Sequence, residues 1–436
     1  MFYGWYVVTG AFFAHWMGAG IGIPVFGLFF KPMSAELNWT RAMTTLPLVT
    51  RNVLSHLAGP IIGPLVDRFG PRYLMTGGAI IAGVGTMLMS QTNSLWQFFL
   101  FFAVIGAIGN AGLSNIVTNT TIAKWFVRKR GRATGIAAAG INVGEAIITP
   151  FVLLLITLFG WRAAWIGIGL VPWLVVAPAS FFLMRRAPED MGLLPDGDPP
   201  PNGERQPESG ANQVEHTTDT SPNISLNTSP DTSGEYVWTA KEAFKTPALW
   251  MIVLATNLAG LAVSGVVMHQ IPFLTDQGLS QADAAMSLVT YAVFAVLSKL
   301  LWGFLAESIQ IRYLTAASLL GSALGLVILI QADALPDGII FGVVYGSTRG
   351  AWSVVQSLIW ADYFGRRFLG TIRGFVAPIQ LVSGIGGPLF AALVFDLRQS
   401  YILAFSIFVA SYILGALLIL ITQPPTPPNK APLPTV

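Results

Sequence analysis

The sequence predicts an all-α polytopic membrane protein, with twelve transmembrane helices in two pseudo-symmetric six-helix bundles. Three observations carry that prediction. Of 436 residues, 53% are hydrophobic and 10% charged, against about 25% charged in an ordinary soluble protein. Apolar runs of about 20 residues, enough to cross a bilayer core of roughly 30 Å, recur along the chain. Short charged motifs of the first half also return in the second. A β-barrel would show alternating segments of about ten residues instead.

Gly, Pro, Asn and charged clusters punctuate the spans. The first six run over 5–30, 43–66, 73–91, 96–123, 133–158 and 162–184. The second six run over 248–273, 281–306, 313–332, 338–361, 371–395 and 399–422. The opening Gly4-Trp5-Tyr6-Val7-Val8 lacks the basic stretch of a removable signal and reads as the first span. Residues 1–186 make the first bundle and 240–422 the second. Between them, 187–239 is rich in Pro, Gly, Ser, Thr, Asn and Asp, a composition that predicts a disordered linker. The Pro-rich tail, 423–436, is predicted not to fold either.

Basic residues in the loops set the orientation. With the N-terminus inside, 17 of the 24 Lys and Arg fall in cytoplasmic segments and four (Lys31, Arg41, Arg162, Arg398) fall outside. The other three, Arg51, Lys299 and Arg349, lie within spans. An even number of spans returns the C-terminus to the cytoplasm, so the linker and tail are predicted to be cytoplasmic. The expected location is the cell membrane.

The halves echo each other. After span 2 comes Gly63-Pro-Leu-Val-Asp67-Arg68-Phe-Gly70-Pro-Arg72; after span 8 comes Gly303-Phe-Leu-Ala-Glu307-Ser-Ile-Gln-Ile-Arg312. The loop after span 4, Trp125-Phe126-Val-Arg128-Lys129-Arg130-Gly131-Arg132, returns after span 10 as Tyr363-Phe364-Gly-Arg366-Arg367. Two six-span halves of like orientation describe a parallel repeat with a binding site near the midplane.

The Gly63 to Arg72 motif resembles the signature of the major facilitator superfamily, Gly-x-x-x-Asp-Arg-x-Gly-x-Arg. The segment from Trp125 to Gly140 resembles a second signature, that of monocarboxylate transporters, with Ala133, Gly135, Ala137, Ala139 and Gly140 in register. Gly4-Trp5 is similar to part of their first signature. The stretch from His269 to Gly278 is similar to bacterial relatives that include the oxalate:formate antiporter group. This resemblance implies a basic, carboxylate-binding residue in span 8, four positions before the glycine of the echo; here it is Lys299. The span 8 aspartate of animal members is Ala295 in this chain, and Ile23-Pro24-Val25 stands where their span 1 lysine would be.

Charge at depth points to the chemistry. An ionisable group in the hydrocarbon region costs at least about 2.5–3.5 kcal/mol. At about 1.5 Å rise per residue, Arg51 lies about 24 Å from the cytoplasmic end of its span, Glu145 and Arg349 about 20 Å and Lys299 about 12 Å. Three cations against one acid predict a cleft for an anion. Lys299 reads as an anion ligand or as a lysine snorkelling to the inner interface. Arg349, among Gly346, Ser347, Thr348 and Gly350, reads as a ligand or as a structural partner of a carbonyl or of Glu145. Arg51 reads as a ligand or a gating residue. His15 could line the cleft, and Trp352, one turn from Arg349, could form its apolar wall with Phe12, Phe26, Phe29 and Tyr345. Glu145 reads as the proton-coupling group, or as half of a permanent buried ion pair. Asp67, Arg68, Arg72, Glu307, Arg312 and Arg128 form the expected gate at the cytoplasmic mouth.

The leading expectation is a secondary active transporter of a small organic anion, a monocarboxylate, coupled to protons by alternating access. The alternative is an organic anion exchanger of the oxalate:formate type; a non-transporting membrane sensor ranks below both, because neither linker nor tail reads as a signalling domain. The expected partners are the substrate anion, protons and the lipid bilayer, with the protein working as a monomer. No cofactor, nucleic acid or metal is expected: the chain has no cysteine and four scattered histidines. It shows no nucleophile–base pair or phosphate loop, so it does not read as an enzyme.

Overall fold

A computed structural model describes residues 2–20, 23–39, 41–199 and 238–426. A few side chains within the helices, that of Glu145 among them, lie outside the described set. The described chain is helical, in twelve passages. Those of the first half are α1 (Gly4–Gly20 and Ile23–Leu37), α2 (Arg41–Leu57 and Gly59–Phe69), α3 (Pro71–Gln91) and α4 (Leu95–Trp125). Then α5 and α6 share one run, Arg130–Leu183, folded back at Gly160. Those of the second half are α7 (Pro247–Asp276), α8 (Gln281–Leu305), α9 (Ile311–Ile330), α10 (Leu335–Phe364), α11 (Leu369–Arg398) and α12 (Ile402–Ile421).

By length and composition, eight helices are long and apolar enough to cross a membrane, and Arg130–Leu183 contains two of the passages. The remaining three fall short for local reasons. α1 and α2 are each in two pieces, and α10 carries Asp337, Arg349 and Asp362. The α5–α6 turn depends on Gly160, whose φ of 80° suits a residue without a Cβ. Beside it, Glu36 accepts from the Trp161 indole and pairs with Arg162 at 3.1 Å, tying α1 to the hairpin.

Each half has its own core. Trp125, Trp165, Phe29 and Phe98 are fully buried in the first; Tyr345, Trp360, Phe364 and Tyr412 are fully buried in the second. Within the first half α1 packs on α5 and α3 on α4; within the second α7 packs on α11, α8 on α10 and α9 on α12. The halves meet along two equivalent seams, α2 on α11 and α5 on α8.

Glycines set the closeness of both seams. A Cβ on Gly63 would stand 2.2 Å from the Gly370 carbonyl oxygen, and one on Gly131 would stand 2.1 Å from that of Gly303. Gly59 against Gly374, and Gly135 against the Lys299 carbonyl, extend the contact at 2.6 Å. Small residues let helix backbones touch in this way. All lie toward the end that carries the basic loops, called here the basic end.

The segment after α6 departs from the composition-based expectation. Residues 187–199, assigned by composition to the linker, form two short turns packed on the basic end. Asp196 is the cause: buried, it accepts from the backbone N–H groups of Val127, Arg128 and Lys129 at 2.8–3.1 Å. Trp238, at the far side of the linker, is buried edge-on against Phe364. The rest of the expected linker, 200–237, and the tail from 427 lie outside the described residues.

Candidate functional site

Polar side chains converge where α1, α4, α5 and α8 meet. Lys299 of α8 is only 6% exposed and crosses the seam to α5. Its Nζ donates to the Ala138 carbonyl at 3.3 Å and to Oδ1 of Asn142. On the adjoining turn, His15 Nδ1 donates to the Ala137 carbonyl at 2.9 Å, and Nε2 meets the Thr118 hydroxyl at 2.8 Å. Asn115 also bonds to His15, and the Lys299 charge acts on the ring. The lysine and the histidine thus share one polar cluster between the halves. Glu145 stands three residues beyond Asn142 on α5; its side chain lies outside the described residues.

Arg349 occupies a second position, on α10. It is half-buried, and its Nε has no hydrogen-bond partner among the described residues. One turn away, the Tyr345 hydroxyl meets that of Tyr412 at 2.8 Å, and the arginine charge acts on both phenols. Trp352 is buried in the core of the second half.

Arg51 does not join either group. It is 7% exposed, with its guanidinium 4.7 Å above the Phe102 ring, in a cavity lined wholly by the first half. The expected apolar wall is also corrected. Phe26 and Phe29 are first-half core, Phe29 stacked on Trp165 at 4.0 Å, because α1 turns that face toward α4 and α6. Tyr345 contributes a hydroxyl pair, not only an apolar ring. His56 bonds to its own helix at Asn52, and His269 ties Tyr401 to the Pro388 carbonyl.

The basic end is tightly bonded. Asp67 accepts from Lys124 Nζ at 3.0 Å and, across the halves, from the Thr371 N–H at 2.7 Å and hydroxyl at 2.8 Å. Its counterpart Glu307 takes the Arg132 guanidinium at 2.7–2.9 Å. Arg130 pairs with Asp362 at 3.1 Å, and Arg366 donates to the Lys124 carbonyl and to Glu189, each at 2.8 Å. One layer deeper, Asn119 donates to Ser357 at 2.8 Å. Among the described residues, every hydrogen bond joining the halves lies at Lys299 and Asn142 or on their basic side.

Of the expected gate, Asp67 and Glu307 cross between halves. The other four are reassigned in this state. Arg68 and Arg72 lie over Phe69 and Phe181 within the first half, Arg312 reaches Tyr313 within the second, and Arg128 pairs with Asp198 of the linker's start. The sequence reading missed Asn142, Asn115, Thr118, Asn119, Ser357, Thr371 and Asp196. The run Ser114-Asn115-Ile-Val-Thr118-Asn119-Thr120-Thr121, polar inside an apolar span, is the signal that could have found three of them.

Two helical halves pressed together at one end, with polar and cationic side chains at the seam between them, define a multi-pass membrane transporter. The comparisons with known proteins make the class specific. The Major Facilitator Superfamily model matches residues 8–289, more than half of the chain, and the chain belongs to that family. Among relatives, human monocarboxylate transporter 2 is 24% identical over 416 residues, covering 92% of this chain and 81% of that one. An MFS-type transporter of Gibberella moniliformis is 23% identical over 411 residues, covering 92% and 85%. The fold is similar to that of the human organic anion transporter MFSD10, at a TM-score of 0.68 and 14% identity over 95% of this chain and 99% of that one. It is equally similar to the proton:xylose symporter XylE, at 0.68 and 13% over 96% and 95%. The chain is a transporter of a small solute, not an enzyme.

Proposed function

We propose that this transporter carries a small organic anion, a monocarboxylate, by alternating access, with proton coupling through Glu145. The observation that carries the reading is Lys299, a buried ammonium at the seam between the halves. A carboxylate entering there finds a charge-assisted donor already desolvated. Asn142 and the Ala138 carbonyl hold that donor in place until the anion arrives. Arg349 and the Tyr345–Tyr412 hydroxyls supply a second cationic and donor-rich region, with His15 beside Lys299 and Trp352 one turn from Arg349. Arg51, enclosed by the first half alone, is left out of the ligand set. The names of the relatives and the signature residues from Trp125 to Gly140 support the same substrate class.

The excess of basic loops assigns the basic end, both termini and the linker to the cytoplasm. On that assignment the bonded, closed end faces the cytoplasm of a cell whose bounding membrane the protein spans. The test is uptake of a panel of short carboxylates into proteoliposomes, with and without an inward pH gradient. Lys299→Ala removes one charged hydrogen-bonding group, worth about 1.5–3 kcal/mol, so uptake should fall at least about tenfold. Absence of uptake for every organic anion, with Lys299→Ala silent, overturns the reading. Uptake that requires a carboxylate on the opposite side and ignores pH selects the exchanger instead.

A further inference from the structure

Arg51 occupies a cavity of its own. Met17 and Gly18 of α1, Thr86 of α3, and Phe102 and Asn110 of α4 surround it, and no residue of the second half lines it. The guanidinium lies over Phe102, its Nε is buried with no hydrogen-bond partner, and no ion pair or hydrogen bond reaches it among the described residues. The backbone around it is shaped to admit the side chain. From Phe99 to Ile105, α4 widens into a π-helical turn, a departure that often marks functional positions. Gly106 follows, where a Cβ would stand 3.4 Å from Arg51 Cδ.

A guanidinium keeps its charge in any protein setting. One aromatic face compensates only a fraction of the penalty for burying an unpaired ion. The rest calls for an anion. The room is small: the centre of a water-sized guest can move through about 20 Å³. That suits a monatomic ion better than a carboxylate of several carbons. We infer that this cavity binds an inorganic anion of chloride size, at a site separate from the transported carboxylate. The Arg51 Nη groups and the Asn110 amide, which Ser55 holds loosely at 3.5 Å, are its donors. The ion ties α2 to α4, so its binding stabilises the first half by mass action.

The test is thermal unfolding of the purified full-length protein in detergent, with sodium chloride replaced stepwise by sodium isethionate, a sulfonate and not a carboxylate, at constant ionic strength. In the wild type, Tm rises with chloride and saturates. In Arg51→Met, which removes the charge and keeps much of the volume, the chloride response is lost. In Arg51→Lys it persists with weaker half-saturation, so the idea remains testable if the methionine variant does not fold. Equal wild-type Tm in chloride and isethionate overturns the inference, as does a chloride response that survives in Arg51→Met. A response to short carboxylates in chloride-free buffer that Arg51→Met abolishes puts Arg51 on the substrate path and overturns the separate site. No arm reads uptake, so the outcome is independent of the proposed substrate.

Discussion

On the proposed reading, coupling turns on two residues, Lys299 and Glu145. The lysine bonds to Asn142 across the α5–α8 seam, and Glu145 follows three residues further along α5. A carboxyl inside an apolar span is stable only when protonated or paired, so the proposed scheme has Glu145 take up a proton as the anion loads near Lys299. On the proposed reading, wild-type uptake rises with an inward proton gradient, whereas Glu145→Gln, permanently neutral, takes up substrate at a rate the gradient does not change. Paired flux measurements at equal and unequal pH check this; a retained gradient response in the glutamine variant removes Glu145 from the mechanism. The sequence exposed Lys299, Arg349 and Arg51 because a charge inside an apolar run has few innocent explanations. It could not show that Arg51 turns into the first half while Lys299 turns to the seam. It also hid Asn142, Asn115 and Thr118. Neutral polar residues in a span bond to their own backbone as readily as to a partner, as Thr121 does with Val117.

At the scale of helices, the passages were legible to within about three residues, except that α1 runs to Leu37 and not to residue 30, because length and hydropathy largely fix where a chain can cross. Their interruptions were not. The second piece of α2 starts at Gly59-Pro60, where the proline supplies no N–H; α4 widens after Phe98; and the ordering of 187–199 by Asp196 follows from a contact between distant segments. The glycines of the repeated motifs were visible, but their use appears only in the packing: Gly63 with Gly370, and Gly303 with Gly131, place backbone on backbone across both seams. A side chain at Gly63 is therefore incompatible with this closed basic end and tolerable once the seam parts. Overpacking of about 1–3 kcal/mol, borne by one state alone, shifts the balance between states by about 5–150-fold. Gly63→Leu should open the basic end. A cysteine introduced at the buried Ser357, behind the seam, reports it: an impermeant thiol reagent applied to that side labels Ser357→Cys faster in the Gly63→Leu background. Equal labelling rates would mean that the seam does not control access.

At the scale of the whole molecule, the bonds between halves are concentrated at one end. Asp67 with Thr371, Glu307 with Arg132, Arg130 with Asp362 and Asn119 with Ser357 hold the basic side, while the seams toward the other end carry no such bond among the described residues. The linker's start reinforces them, since Glu189 follows the first half yet pairs with Arg366 of the second. A site reached from one side at a time requires all of these to break together as the halves rock. The chain contains no cysteine, so a pair introduced at Asn119→Cys and Ser357→Cys tests this without background. Their present side chains touch at 2.8 Å across the halves, within reach of a short bifunctional methanethiosulfonate. Cross-linked protein should lose at least about nine-tenths of its uptake, because a tie in this position prevents separation, and a reductant should restore it. Each single-cysteine protein, treated alike, should keep its activity. Uptake that continues through an intact cross-link would show that the substrate passes without the halves parting at this layer, and alternating access by rocking about Lys299 would then have to be abandoned.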